Sequence, residues 1–251
     1  MNFKDLHHQE QPVLIGNVWD VPSTKIAEKL NFQAIGTSSA AIAKLLGYND
    51  GEEMKFSEME YMVQQISLHT KIPLSVDLEA GYSRNASEIV HHIKRLAALG
   101  VVGINIEDSI VNDKRVLLDA EQFANTISEI KKQLQEEQIA IFVNVRTDTF
   151  ILQTANMLTE TKRRIQLYEH AGADGIFVPC IENAQDIKEI VTCTRLPLNV
   201  MCMPKLPNFD NLAALGVKRI SMGNFLFDNM YQQLENTTET ILKQHSFTSI
   251  F

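Results

Sequence analysis

Leu74-Ser75-Val76-Asp77-Leu78-Glu79-Ala80-Gly81-Tyr82 is the stretch around which the chain is organised. It opens as an apolar run behind Pro73, the pattern of a buried strand, and ends at a Gly turn with two carboxylates two residues apart. Residues i and i+2 of a strand share a face, so Asp77 and Glu79 are expected to project the same way. Two close like charges repel, and burying either unpaired is costly. A divalent cation on hard oxygen ligands relieves both problems. An isolated pair of this kind is ordinarily a solvated strand end. A second acidic pair, Glu107-Asp108, closes another apolar run and turns the reading towards a site.

Working outward, short Val- and Ile-rich runs recur at 13–18, 34–36, 74–78, 102–106, 141–145, 175–178, 198–201 and 219–222. Longer stretches of helical periodicity separate them, as at 86–99, 121–135 and 159–170. Strands alternating with helices imply βαβ units and a parallel sheet, and eight of them fit a (β/α)8 TIM barrel. Four helices are expected to end on a left-handed residue just before a strand, at Asn31, Gly100, Gly172 and Gly216. Without a Pro/Gly/Ser linker, residues 1–251 read as a single (β/α)8 barrel domain, with 224–251 as its C-terminal helical tail.

The composition excludes several classes. A net charge of −8, without a Lys/Arg run, argues against a nucleic-acid surface. Three cysteines without C-x-x-C spacing fit neither a disulfide framework nor a zinc ribbon, and suit a reducing cytoplasmic setting. No run is apolar enough to span a bilayer, and the first residues lack the order of a signal peptide. The histidines, including His7 and His91-His92, read as solvated surface. Cys180 reads as a small hydrophobe rather than a nucleophile.

In a TIM barrel, chemistry sits at the C-terminal ends of the strands. There the chain carries Trp19-Asp20, Thr37-Ser38-Ser39, Asp77 and Glu79, Glu107-Asp108, Arg146-Thr147-Asp148, Pro179-Cys180 and Gly223-Asn224. At least three carboxylates thus share one rim with Arg146. Asp148 is read as the ion-pair partner that orients Arg146.

Taken together, Gly16-Asn17-Val18-Trp19-Asp20, Thr37-Ser38-Ser39-Ala40, Leu46-Gly47-Tyr48-Asn49-Asp50, Val76–Tyr82, Asn105-Ile106-Glu107-Asp108-Ser109 and Val145-Arg146-Thr147-Asp148 resemble the isocitrate lyase/phosphoenolpyruvate mutase superfamily. The likeness is to its phosphoenolpyruvate mutase-like branch and runs from about residue 10 to beyond residue 225. It implies an enzyme that handles a small α-oxo acid through a pyruvate enolate, with Mg²⁺ (or Mn²⁺) as cofactor. It places the metal on Asp77, Glu79 and Glu107, with Glu79 standing where the family usually has Asp. It assigns the substrate to Trp19, Ser38, Ser39, Ala40, Tyr48, Asp77 and Arg146, and catalytic work to Arg146, Asp50 and Glu107. It also implies a homo-oligomer, tetramer or dimer, in which the last helix is swapped between subunits.

Two departures narrow the expected reaction. The lyases of the superfamily carry a Cys- and His-bearing lid after the fourth strand, where this chain reads Ser109-Ile110-Val111-Asn112-Asp113-Lys114-Arg115. The mutases place His where this chain has Cys180. The expected function is a Mg-dependent lyase on an oxaloacetate-like or 2-methylisocitrate-like acid, acting by C–C cleavage or decarboxylation. Phosphonomutase or phosphonopyruvate hydrolase chemistry is the alternative, and a non-catalytic barrel that binds an oxo acid is a third.

Overall fold

The computed structural model describes residues 2–251. Eight parallel strands close one barrel: β1 (Val13–Val18), β2 (Ala34–Thr37), β3 (Leu74–Asp77), β4 (Val101–Glu107), β5 (Phe142–Arg146), β6 (Gly175–Val178), β7 (Leu198–Met201) and β8 (Arg219–Ser221). Each is followed by helix: α1 (Val21–Lys29), α2 (Ser39–Leu46) and α3 (Phe56–Leu68), α4 (Ala86–Ala98), α5 (Ala120–Glu136), α6 (Met157–His170), α7 (Ala184–Cys193), α8 (Phe209–Leu215) and α9 (Phe225–Gln244). An antiparallel hairpin, Ser109–Val111 with Arg115–Leu117, is inserted on the rim between β4 and α5.

Local chemistry sets the boundaries. Asp20, Asn85, Asp119, Asn183 and Asn208 cap helix N-termini through their side chains, each satisfying N–H groups that the helix leaves free. The four expected left-handed residues are all present, with φ of 57° at Asn31, 86° at Gly100, 93° at Gly172 and 97° at Gly216. Ile, Val and Leu on the outward strand faces and inward helix faces form the continuous core.

The bottom of the barrel is plugged. A 3-10 turn, Asp5–His8, brings Phe3, Leu6 and His7 against Val13, Ile15 and Phe142. His7 is therefore buried, with its ring stacked on Phe142 at 4.2 Å. This corrects the solvated reading: no helix or strand periodicity covers the segment, so only its packing reveals the role. His92 is likewise half-buried, stacked on Phe56 at 4.0 Å, with its Nδ1 against the Gly81 carbonyl.

Helix α9 presents Leu226, Met230, Tyr231 and Leu234 to solvent, and Phe227 is its one fully buried residue. An apolar face is therefore present, but this chain's own barrel does not cover it.

Candidate active site

Strand registry assembles the site. Ladder pairs place Asp77 beside Asn105 and Glu107 beside Arg146, so β3, β4 and β5 present their last inward residues as neighbours. Ser38 caps α2, its Oγ accepting from the Ala41 N–H at 3.3 Å, and this sets the adjoining residues against β3. Ser39 Oγ donates to Asp77 Oδ2 at 2.8 Å, and the Asp77 N–H donates to Thr37 Oγ1 at 2.9 Å. The β2–α2 turn is thereby fixed to the end of β3.

A cavity of about 200 Å³ opens inside this rim. That space holds several waters and suits a small acid. Ser38, Ser39, Ala40, Asp50, Asp77 and Arg146 line it, together with Asn17, Asn105, Arg115 and Arg219. Of the remaining expected site residues, Trp19 packs edge-on against Phe227 at 5.4 Å. Tyr48 donates its hydroxyl to Glu58 at 2.8 Å, outside the cavity. Glu107 lies behind Arg146 and Arg115. Glu79 lies beyond the strand end.

Glu79 departs from the alternation expected of it. The strand stops at Asp77, and Glu79 takes φ 53°, its carbonyl accepting from the Glu107 N–H at 2.8 Å. The two acids are thus not successive inward positions of one regular strand. Glu79 is buried, and its carboxyl is pushed well up, first by burial and then by repulsion from Asp50, Glu107 and Asp77. The second acidic pair also splits. Glu107 faces the site, whereas Asp108 faces the helices, accepting from Arg164 at 2.9 Å and from the Tyr168 hydroxyl at 2.7 Å.

Arg146 is held rigidly. Its Nε and Nη2 donate to Asp148 at 2.6 and 3.0 Å, and its Nη1 sits 2.7 Å from Glu107 Oε2. Asp148 therefore orients Arg146, as its position in the sequence implied. Fork-to-fork pairing of this kind fixes both direction and charge. Although burial opposes the charge, the surrounding carboxylates hold the guanidinium well above its usual value. Burial pushes the Glu107 carboxyl up, with Arg146 and Arg115 pulling the other way.

Arg115 is the residue that sequence reasoning missed. From the rim hairpin it reaches Asp50 at 2.8 Å and Asp148 at 3.0 Å, and it also bonds to Glu107 and to Ser109. It thereby ties the Asp50 loop, the hairpin and β4 into one charged network. The signal for it was faint: three polar residues between two very short strands do not say which way the fourth will point.

The fit of a divalent cation rests on Asp77. Its Oδ1 is buried without a hydrogen-bond partner, while its other oxygen is taken by Ser39. A carboxylate with one unpaired oxygen, on a residue that lines a polar cavity, suits Mg²⁺, which keeps several waters and needs few protein ligands. Among the described residues no three acids, histidines or cysteines group as a cage. Both oxygens of Glu107 are engaged by guanidinium groups.

The chain matches the family model described as phosphoenolpyruvate phosphomutase over residues 3–242. It is 35% identical over 224 residues to an uncharacterised protein of Mycobacterium tuberculosis, covering 89% of this chain and 82% of that one. It is 28% identical over 226 residues to oxaloacetate decarboxylase 1 of Pseudomonas fluorescens, covering 86% and 75% of the two chains. A crystal structure from Burkholderia cenocepacia, provisionally assigned as a phosphonomutase, superimposes with a TM-score of 0.88 at 31% identity, covering 94% and 97%. The closed barrel, the rim on which Asp77 and Arg146 meet and these matches agree: the chain is an enzyme of the phosphoenolpyruvate phosphomutase family.

Proposed function

We propose that this enzyme is a metal-dependent lyase that cleaves a small, oxaloacetate-like α-oxo acid through a pyruvate enolate. The observation that carries the reading is the placement of Arg146 and the free oxygen of Asp77 on one small cavity with no histidine or cysteine in its lining.

The chemistry follows from where charge develops. Breaking a bond to the third carbon of an oxo acid moves an electron pair onto the carbonyl oxygen. Groups aimed at that oxygen stabilise the transition state more than the ground state. Arg146 meets this need without moving, because Asp148 and Glu107 already fix it. The N-terminal turn of α2, bearing Ser38, Ser39 and Ala40, offers N–H groups and the positive end of a helix to the substrate carboxylate. Mg²⁺ on Asp77, or Mn²⁺ in its place, would supply Lewis-acid polarisation of the oxo group. Asp50, tethered to Arg115, stands at the cavity wall. Decarboxylation asks little proton transfer of the protein, which suits a lining without a strong acid–base residue.

A second reading, P–C bond chemistry on a phosphonopyruvate-like acid, is favoured by the 31% identity to the provisionally assigned phosphonomutase. The exposed apolar face of α9 supports a homo-oligomer, dimer or tetramer, with that helix swapped onto a neighbour. Three unpaired cysteines fit a cytoplasmic setting, and no helix among the described residues is long and apolar enough to cross a membrane.

The test is turnover of oxaloacetate and of phosphonopyruvate, with and without Mg²⁺, against enzyme-free controls that contain the same metal. Pyruvate release from oxaloacetate, dependent on added metal and competitively inhibited by oxalate, is the expected result. Turnover of phosphonopyruvate alone moves the enzyme to the second reading. Turnover of neither acid returns it to a binding barrel.

A further inference from the structure

TIM-barrel interiors are ordinarily filled by branched apolar side chains in layers. Here the layer beneath the site is polar. Asn144 Nδ2 donates to Asn105 at 2.9 Å and, across the barrel, to Asn199 at 3.2 Å. Arg219 enters from β8 and spans to the facing wall, with Nη2 3.4 Å from Ser75 Oγ and 3.3 Å from Asn105 Oδ1. These are long, off-optimal contacts. Its Nε and Nη1 are buried without any partner. No carboxylate among the described residues lies within ion-pair distance of it, although the residue is only 2% exposed.

The guanidinium is closed off from below. The Phe3 ring lies 5.9 Å under its central carbon, and the Phe3–His7 plug seals that end of the barrel. Above, the cavity of the site reaches down to it. Burial pushes Arg219 down to about 10, with Asp77 the one charge that opposes the shift, so it remains a cation at neutral pH. A buried cation without a counter-charge is among the most costly arrangements in a protein interior. Water can satisfy its N–H groups but not its charge.

We propose that Arg219, with Ser75 and Asn105, forms an anion subsite at the floor of the cavity, one layer beneath Asp77, which takes a halide-sized anion or a carboxylate. The anion has two sources, a small inorganic ion from solution or a second carboxylate on the substrate. The inference concerns binding on the cavity floor and holds whichever bond the enzyme breaks.

Two binding measurements on the full chain test it, neither of which needs turnover. The first is melting temperature against sodium bromide, with ionic strength held by sodium gluconate, together with anomalous diffraction from bromide-soaked crystals. The second is calorimetric affinity for malate and for lactate, 2-hydroxy acids that differ by the distal carboxylate. An inorganic source gives a saturable bromide stabilisation of the wild type, absent in Arg219→Met, with an anomalous peak at the guanidinium. A substrate source gives a wild-type preference for malate that falls about 10- to 100-fold in Arg219→Met, with lactate unchanged, the size expected for a lost charged hydrogen bond. If neither bromide nor the malate-to-lactate ratio distinguishes the proteins, and the crystal shows only water at Arg219, the subsite does not exist. Should Arg219→Met fail to fold, wild-type bromide diffraction and the Arg219→Lys ratio decide the same question.

Discussion

Glu107 and Arg146 are ladder partners on adjacent strands, and their side chains meet at 2.7 Å directly above that backbone pairing. Because Arg115 holds the other oxygen of Glu107, one buried carboxylate braces two guanidinium groups on the wall of the site. Glu107 therefore supports the site from behind.

Removing that carboxylate leaves two cations short of a partner. Glu107→Ala is expected to lower stability by about 3–5 kcal/mol, the usual cost of breaking a buried ion pair from one side. Urea denaturation of the purified variant checks this. A loss below about 1 kcal/mol means that Asp148 alone suffices to hold both arginines.

Arg146→Ala removes a charge that is fixed before the reaction begins. Turnover of the oxo acid is expected to fall by about 10²–10³ in kcat, with a smaller change in KM, because the interaction strengthens as the enolate forms. The variant must show an unchanged far-UV spectrum for the comparison to count. Near-full turnover in a folded Arg146→Ala protein rules out the enolate role.

Arg115→Ala severs the ties from the rim hairpin to Asp50, Glu107 and Asp148. Faster amide exchange is expected over residues 48–53 and 109–117, with little change in the barrel strands. Hydrogen-exchange mass spectrometry reads this directly. Uniform protection in the variant shows that packing, and not Arg115, holds the hairpin.

His7 carries a pH dependence. Burial lowers its pKa from 6.5 to about 3, with Arg219 acting in the same direction. A depressed folded pKa means that the contribution to stability is whole above about 6.5 and is lost as pH falls towards 3. The shift corresponds to at most about 5 kcal/mol, and release of the N-terminal segment alone caps it lower. His7→Phe, which keeps a ring against Phe142, is expected to flatten this part of the stability profile. Identical acid transitions in the two proteins count against the buried-histidine account.

The face of α9 that carries Leu226, Met230 and Leu234 needs a partner surface. A dimer or tetramer at micromolar concentration is the expected outcome of light scattering, and Leu234→Glu is expected to shift it towards monomer. A monomeric wild-type protein excludes the swap.

The amino-acid order by itself determined the barrel. Strand and helix periods are local, and eight apolar runs with Asn31, Gly100, Gly172 and Gly216 at their turns leave little freedom in topology. Strand order then brought Asp77, Glu107 and Arg146 to one rim, because parallel neighbours in a barrel align their C-terminal ends. What the order could not settle was direction and depth. Glu79 leaves the strand in a left-handed turn, Trp19 and Tyr48 pack on Phe227 and Glu58 outside the cavity lining, and His7 packs under the barrel, through contacts that periodicity does not encode. Arg115 and Arg219 show the limit most clearly. Each resembles a surface arginine in sequence, and only closure of the barrel and folding of the hairpin over it set them among Asp50, Glu107, Ser75 and Asn105.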